Sequence, residues 1–343
     1  MKRILLTGIG GDVAFNFARS LRQVKEEMYL VGTDCDKYNI HFGRQYCNKL
    51  YVVPETSKKD YITEINRISK KEEIDFVFPS PDPEVYEIAK NKNKLHAQTF
   101  LPSFEAIQIA QDKWMSYEKL KKHVPLPQTY LLKNETDLKE AFSHLKKPFW
   151  LRAAKGAGGK GSLLVDDLTF AKTWIKHWKG WGTFLASEYL PGKNFCWTGL
   201  FRDGKLITSS IFERIRYFMQ HISVSGITGN INVGRTVHRS DVNEIALKTV
   251  NAIDKNPEGV YSVDLREDEE GVPNITEINA GRFTMPHYFF TACGYNFSYF
   301  LVKLAYGENV PSLPKFNAVP KDFYIIRRTD TFPVVLGPKE LDI

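Results

Sequence analysis

Cysteine is scarce: there are four in 343 residues, Cys35, Cys47, Cys196 and Cys293, with no Cys-x-x-Cys and no metal-holding spacing. Such scattered cysteines fit reduced thiols in the cytoplasm rather than a disulfide framework. Long hydrophobic runs are missing too. No apolar stretch approaches the roughly 20 residues of a membrane span. The apolar run at the basic N-terminus is too short for a signal peptide and leads into a strand–turn pattern. There is no internal repeat, no low-complexity tract and no dense Lys/Arg tract interleaved with aromatics. The net charge of +7 is therefore not arranged as in a nucleic-acid binder. A site for polyphosphate would use the same excess locally.

What the chain does have is concentrated first in Pro148–Val165. Phe149–Ala153 is apolar apart from Arg152, then Gly156, Gly158, Gly159 and Gly161 loosen the backbone, and Ser162–Val165 is apolar again. The spacing G-x-G-x-x-G is that of a dinucleotide loop, but such a loop opens a helix, and here a second β run follows. A phosphate loop of the Gly-Lys-Ser/Thr type is excluded by Lys160-Gly161-Ser162. A flap remains, rich in backbone N–H groups and carrying Arg152, Lys155 and Lys160. It suits nucleotide phosphates; the alternative is a basic hairpin with no ligand.

Residues 1 to about 110 alternate strand and helix, which predicts a parallel, doubly wound sheet. Its first turn, Gly8-Ile9-Gly10-Gly11, lacks the third glycine of the dinucleotide fingerprint, where Val13 stands, although Asp34 ends the second strand. A substrate loop and a tight turn without a ligand both remain open there. Beyond it, Glu105–His123 reads as one helix, Thr99–Leu101 as a short strand, and Phe195–Phe201 with Leu206–Phe212 as a hairpin. In Gly259–Phe283, Asp264 alternates against Tyr261, Val263 and Leu265, and Glu277 and Asn279 share one strand face. If these strands pair, Asp264, Glu277 and Asn279 can converge as hard oxygen ligands of the kind Mg²⁺ takes. The alternative is a polar strand face at the surface. The acidic turn Glu267–Glu270 reads as solvated.

Taken together, these residues resemble the ATP-grasp superfamily, and more narrowly the ATP-binding halves of carbamoyl-phosphate synthase and related carboxylate–amine ligases. Four motifs carry the resemblance in the family's order: Asp112-Lys113 followed by Val124-Pro125-Leu126-Pro127; Arg152 before the glycine flap; Ser187-Glu188-Tyr189-Leu190-Pro191-Gly192; and Glu277-Ile278-Asn279. The resemblance implies a Rossmann-like pre-ATP-grasp parallel sheet followed by a two-part α+β ATP-grasp fold. The expected divisions are residues 1–110, a lid subdomain at 111–190, a catalytic subdomain at 191–310 and a C-terminal extension at 311–343.

It further implies that Lys113, Arg152, Lys155, Gly158, Gly159, Lys160 and Gly161 handle ATP phosphates. Glu188, Tyr189 and Leu190 would meet adenine, and Asp264, Glu277 and Asn279 would hold Mg²⁺ (or Mn²⁺). Two departures stand out. Asn194 replaces the family's ribose-binding Glu, and the family's Glu-Ile-Asn-Pro-Arg becomes Glu-Ile-Asn-Ala-Gly-Arg, which displaces Arg282 by one position. Arg235 and Arg282 are candidate grips for a substrate carboxylate, because a guanidinium binds it bidentately; for Arg235 the alternative is a structural surface arginine. The expected activity is an ATP- and Mg²⁺-dependent ligase that activates a carboxylate (or bicarbonate) as an acyl phosphate and passes the acyl group to an amine. Phosphoryl transfer needs positioning and charge neutralisation more than a protein nucleophile, so no Ser-His-Asp or Cys-His constellation is required. The expected partners are small-molecule carboxylate and amine substrates and a second copy as homodimer, with no nucleic acid and no membrane. The rival readings are a nucleotide-binding subunit without turnover and an NAD-linked dehydrogenase built on Gly8–Asp34.

Overall fold

Alternation within the first strand already divides the N-terminal core into two faces. In β1 (Lys2–Thr7), Leu5 joins Val31 and Val77 on one side, while Ile4 and Leu6 join Leu30, Phe76 and Phe78 on the other. A computed structural model describes residues 1–156, 159, 161–222, 224, 226, 230–284, 287–328 and 334–337. In it, β1 is followed by α1 (Asp12–Leu21), β2 (Met28–Asp34), β3 (Lys49–Val52), α2 (Tyr61–Lys71), β4 (Phe76–Phe78) and α3 (Asp82–Lys90). The strands form a parallel sheet in the order β3-β2-β1-β4, buried on both faces as βαβ crossovers require. The expected strand at 99–101 does not form. Only an isolated bridge joins Phe76 to Gln98, and Pro102 and the capping Ser103 then open the next helix.

Next come α4 (Phe104–Ala110) and α5 (Lys113–Leu120), where the sequence reads as a single helix. The carboxylate of Asp112 accepts from the backbone N–H groups of Trp114 (3.0 Å) and Met115 (3.1 Å) and so starts a new helix. The lid follows: β5 (Thr129–Leu132), α6 (Glu135–His144), β6 (Phe149–Ala153), β7 (Leu163–Val165), α7 (Leu168–His177) and β8 (Phe184–Ser187). Its antiparallel sheet, β5-β8-β6-β7, has a core of its own around Leu132, Leu138, Phe149, Leu151, Ile175 and Phe184. The strand–flap–strand expected at 149–165 is β6 and β7; Gly158 and Lys160 lie outside the described residues.

The remaining elements are β9 (Asn194–Arg202), β10 (Lys205–Tyr217), β11 (Ile231–Val237), α8 (Ser240–Ile253), β12 (Gly259–Glu267), β13 (Pro273–Ala280), α9 (His287–Ala292), α10 (Phe297–Ala305), β14 (Tyr324–Ile326) and β15 (Val334–Leu336). They build a seven-stranded sheet, β13-β12-β9-β10-β11-β14-β15. The segment expected as an extension therefore supplies the last two strands at one side of this sheet. β11 is poorly marked in the sequence because Gly234 interrupts it. A Cβ there would stand 2.1 Å from the Phe212 ring, so close packing on β10 requires glycine. One apolar cluster runs from Leu5 and Ile107 to Trp197, Tyr261 and Val263, and another from Phe78 to Phe283 and Phe289. The parallel sheet and the seven-stranded sheet thus share their core, and the lid does not.

The first βα turn is locked by the protein itself. Both carboxylate oxygens of Asp34 accept backbone N–H groups, from Gly10 and from Asp36, each at 2.9 Å. Gly8 has φ +60°, and a Cβ on it would meet Pro81 at 2.4 Å. The acid that a dinucleotide ribose would need is thus committed to holding the turn. Beneath it, Glu84 is buried, and its pKa is pushed up to about 7. Burial is the main cause and the Asp34 charge adds to it, against the nearby Thr7 and Tyr61 hydroxyls, which favour the charged form.

Glu84 generates a pH prediction. Its folded pKa is raised, so between about pH 4.5 and 7 the unfolded chain releases a proton that the folded chain keeps. Stability is lost as pH rises through that window, on the order of 3 kcal/mol in total. Glu84→Gln should remove this slope, with its stability gain over wild type growing from pH 5 to pH 8 in urea titrations. A gain independent of pH would show that Glu84 does not titrate in this range.

Candidate active site

The sheets meet at one cavity of about 560 Å³. The lid contributes Arg152 and Ala153 from β6, with Lys155, Gly156, Gly159 and Ser162 from the flap. The opposite wall is Asp264 and Arg266 of β12 with Thr276, Glu277 and Asn279 of β13. Glu188, Leu190 and Asn194 line the connection between the lid and the large sheet, and Arg282 and Val13 close the far end.

The phosphate-type cations are placed by backbone. Arg152 is set by the pairing of β6 with β8, opposite Leu185. Its Nη1 donates to the Thr276 carbonyl (3.2 Å), and its Nε is buried without a hydrogen-bond partner among the described residues. Burial lowers its pKa, opposed by the Glu277 charge. Such a guanidinium is desolvated and only partly satisfied, as an anion site requires. Lys113 is held at the first turn of α5, where its backbone N–H donates to the Ala154 carbonyl (2.9 Å). Its ammonium donates to the Gly156 carbonyl (3.0 Å) and stands 3.8 Å from Glu277. Lys155 is exposed and pairs with Asp112 at 3.5 Å. At the flap's end, Trp174 Nε1 donates to the Gly161 carbonyl (2.9 Å).

The acidic wall follows from register. β12 and β13 pair antiparallel with Asp264 opposite Glu277 and Ser262 opposite Asn279, and Asp264, Glu277 and Asn279 all line the cavity. Among the described residues, no third carboxylate, histidine or cysteine joins them in a metal-like cluster. Two carboxylates and one amide oxygen are hard donors in the number that Mg²⁺ takes from protein when phosphates supply the rest. The set therefore fits a nucleotide-bound divalent ion, which Glu277 and Asn279 would hold with Asp264.

Other expectations meet corrections. Arg235 does not line the cavity. On β11 its Nε donates to Glu213 (2.7 Å) and its Nη1 lies 3.4 Å from the Tyr324 hydroxyl, so a neighbouring carboxylate already occupies the fork. Arg282 does line the cavity, but it forks onto Asp82, with Nη2–Oδ2 at 3.0 Å. Asn194 has both ends of its amide engaged, accepting from Arg214 and donating to Tyr217. Tyr189 lies against Arg266 and Trp150, while its neighbours Glu188 and Leu190 reach the cavity. Glu188 also accepts the Gln128 backbone N–H (3.2 Å). Sequence reasoning missed Arg214, Tyr217 and Arg266. Arg214 could have been found only by knowing that β10 crosses the site.

A basic strand and flap thus face an acidic strand pair across one cavity. The ATP-grasp domain family matches residues 110–286, just over half the chain, and the chain belongs to that family. The PylC-like N-terminal domain matches residues 4–100. A tyramine–L-glutamate ligase of Methanocaldococcus fervens is 24% identical over 234 residues, 67% of this chain and 66%, just under two thirds, of that protein. An L-amino acid ligase from Bacillus licheniformis superposes with a TM-score of 0.72 at 14% identity, over 95% of this chain and 79% of that one. N5-carboxyaminoimidazole synthetase from Staphylococcus aureus complexed with ADP gives 0.71 at 16%, over 95% and 81%. The structural likenesses show the fold.

Arg152 provides the direct test of the basic wall. Arg152→Ala should weaken ATP binding and turnover together by roughly ten- to hundredfold, since a charge-assisted contact is worth about 1.5–3 kcal/mol. Lys155→Ala, on an exposed and more freely ordered side chain, should cost less. Calorimetric ATP titration checks the order. An Arg152→Ala variant with wild-type affinity removes β6 from the site.

Proposed function

We propose that this protein is an ADP-forming ligase that activates the carboxylate of an amino acid with ATP and transfers the acyl group to an amine. The observation that carries this reading is the cavity itself, where Arg152 and Lys113 face Asp264, Glu277 and Asn279. The names of two relatives, a tyramine–L-glutamate ligase and an L-amino acid ligase, support the amino-acid class.

The triphosphate would lie between the two walls. Arg152 and Lys113 would carry the charge of the transferring phosphoryl group, where preorganised cations in a water-poor site are most effective. A bound Mg²⁺, held by Glu277, Asn279 and Asp264, would neutralise phosphate oxygens. The substrate carboxylate oxygen attacks the γ-phosphorus, the bond to the β–γ bridging oxygen breaks, and ADP leaves. The amine then attacks the acyl carbon of the acyl phosphate and expels inorganic phosphate, with one proton lost from nitrogen. The glycine flap would cover the acyl phosphate and keep water from it.

Phosphate release with Mg-ATP, screened over amino acids crossed with amines and with bicarbonate as a separate arm, tests the reading. Release should need both an amino acid and an amine. Release with bicarbonate alone would move the substrate to that class, and release with neither would remove the ligase reading. Mg-ATP should raise the melting temperature, and NAD should not. Glu277→Gln should fold as wild type, because this carboxylate is half-buried at the cavity wall, and should lose most turnover. Wild-type kinetics at limiting Mg²⁺ would sink the metal assignment.

A further inference from the structure

Arg214 has no role in the reaction just described, yet it is among the most constrained cations of the cavity. β10 does not run evenly past the site. Its register against β11 slips between Arg214 and Arg216 and again between Arg216 and Tyr217. In an even strand Arg214 and Tyr217 would face opposite ways; the irregularity turns both onto the cavity. From there Arg214 reaches over β9. Its Nη1 donates to Asn194 Oδ1 (2.9 Å) and its Nη2 to Asp264 Oδ1 (2.7 Å), while Asn194 Nδ2 donates to the Tyr217 hydroxyl (3.0 Å). The Arg214 side chain is 10% exposed and that of Asp264 16%. An arginine guanidinium is always charged in proteins, and this one is buried against the carboxylate it pairs with.

We propose that Arg214 is a built-in counter-cation for Asp264 which restricts the acidic wall to one divalent ion per bound nucleotide. The inference rests on the ATP reading above and deepens it. Two divalent ions on this wall would have to share Asp264 and Glu277, the only carboxylates that β12 and β13 bring to the cavity among the described residues. One oxygen of Asp264 is already taken by a charge-assisted bond. The guanidinium cannot swing aside without also unpairing Asn194, and that amide is tied in turn to Tyr217. A second dication would therefore stand beside a fixed positive charge in a water-poor site, where like charges repel most strongly. Glu277, Asn279 and the second oxygen of Asp264 remain for a single ion.

The test counts ions rather than turnover. Mn²⁺ is titrated into the full-length protein saturated with the β,γ-imido analogue of ATP, and free Mn²⁺ is read by electron paramagnetic resonance. Wild type should bind one protein-associated ion per nucleotide. Arg214→Met, which keeps the apolar length and drops the charge, should bind two, the second with a Kd within about tenfold of the first. Circular dichroism and thermal melting establish that the variant is folded. Two ions on wild type, or a folded Arg214→Met that stays at one, overturns the inference and leaves the ATP reading intact. If Arg214→Met does not fold, the wild-type count decides alone. If wild type binds no nucleotide-dependent Mn²⁺ at all, the ATP reading itself fails and this inference with it.

Discussion

The register between β12 and β13 is the constraint on which the site depends. It sets Asp264 against Glu277 and Ser262 against Asn279, and a slip of one residue would turn Glu277 and Asn279 to the other face together. The register is held from both sides. β12 also pairs along its length with β9, and the apolar faces of both strands lie in the core shared with the parallel sheet. The N-terminal unit therefore acts on the chemistry at a distance: its burial against the large sheet fixes where two carboxylates meet.

Charge balance is the second constraint. Among the described residues the cavity is lined by six cations, Lys113, Arg152, Lys155, Arg214, Arg266 and Arg282, and by three carboxylates, Glu188, Asp264 and Glu277. Such an excess suits a polyanion, and the protein contains it by pairing. Arg214 is satisfied by Asp264 and Arg282 by Asp82, whereas Arg152 keeps its Nε unmatched. Removing one partner of a buried pair typically costs roughly 3–5 kcal/mol, because the other charge is left uncompensated. The paired arginines thus read as architecture around the acidic wall, and the unmatched one as the group waiting for an anion.

What could be read from the sequence followed from local chemistry. The glycines around Arg152, the alternation that isolates Asp264, and the two-residue spacing of Glu277 and Asn279 each leave a mark within a few residues. What could not be read depended on distant partners. Arg235 looked free because Glu213, which occupies it, lies on a neighbouring strand. Asn194 looked available to a ribose because nothing nearby shows that Arg214 and Tyr217 take both ends of its amide. Arg214 itself was hidden by the slip in β10, which breaks the period-two pattern by which strand faces are recognised. The helix break at Asp112 was missed for the opposite reason. A capping aspartate inside a helical pattern looks like any polar residue until its carboxylate is seen to accept from Trp114 and Met115.

That break has a consequence for the chemistry. Had α4 and α5 been one helix, the Lys113 backbone N–H would have been spent on an internal helix bond. As the first residue of a new helix it is one of the orphan donors and reaches across to the Ala154 carbonyl, at the base of the flap. The lid has a core of its own, and polar stitches register it against the rest of the protein: Lys113 to Ala154 and Gly156, Arg152 to Thr276, and Lys146 to Glu269. Arg152 and Lys155 belong to the lid, and the acidic strands with Lys113 to the other body. Their separation is set by a few hydrogen bonds next to the reacting groups rather than by a packed apolar interface. The proposed ligase, which would admit two substrates and then enclose an acyl phosphate, would use such a division, since each wall can stay internally rigid while the gap between them is adjusted at low cost.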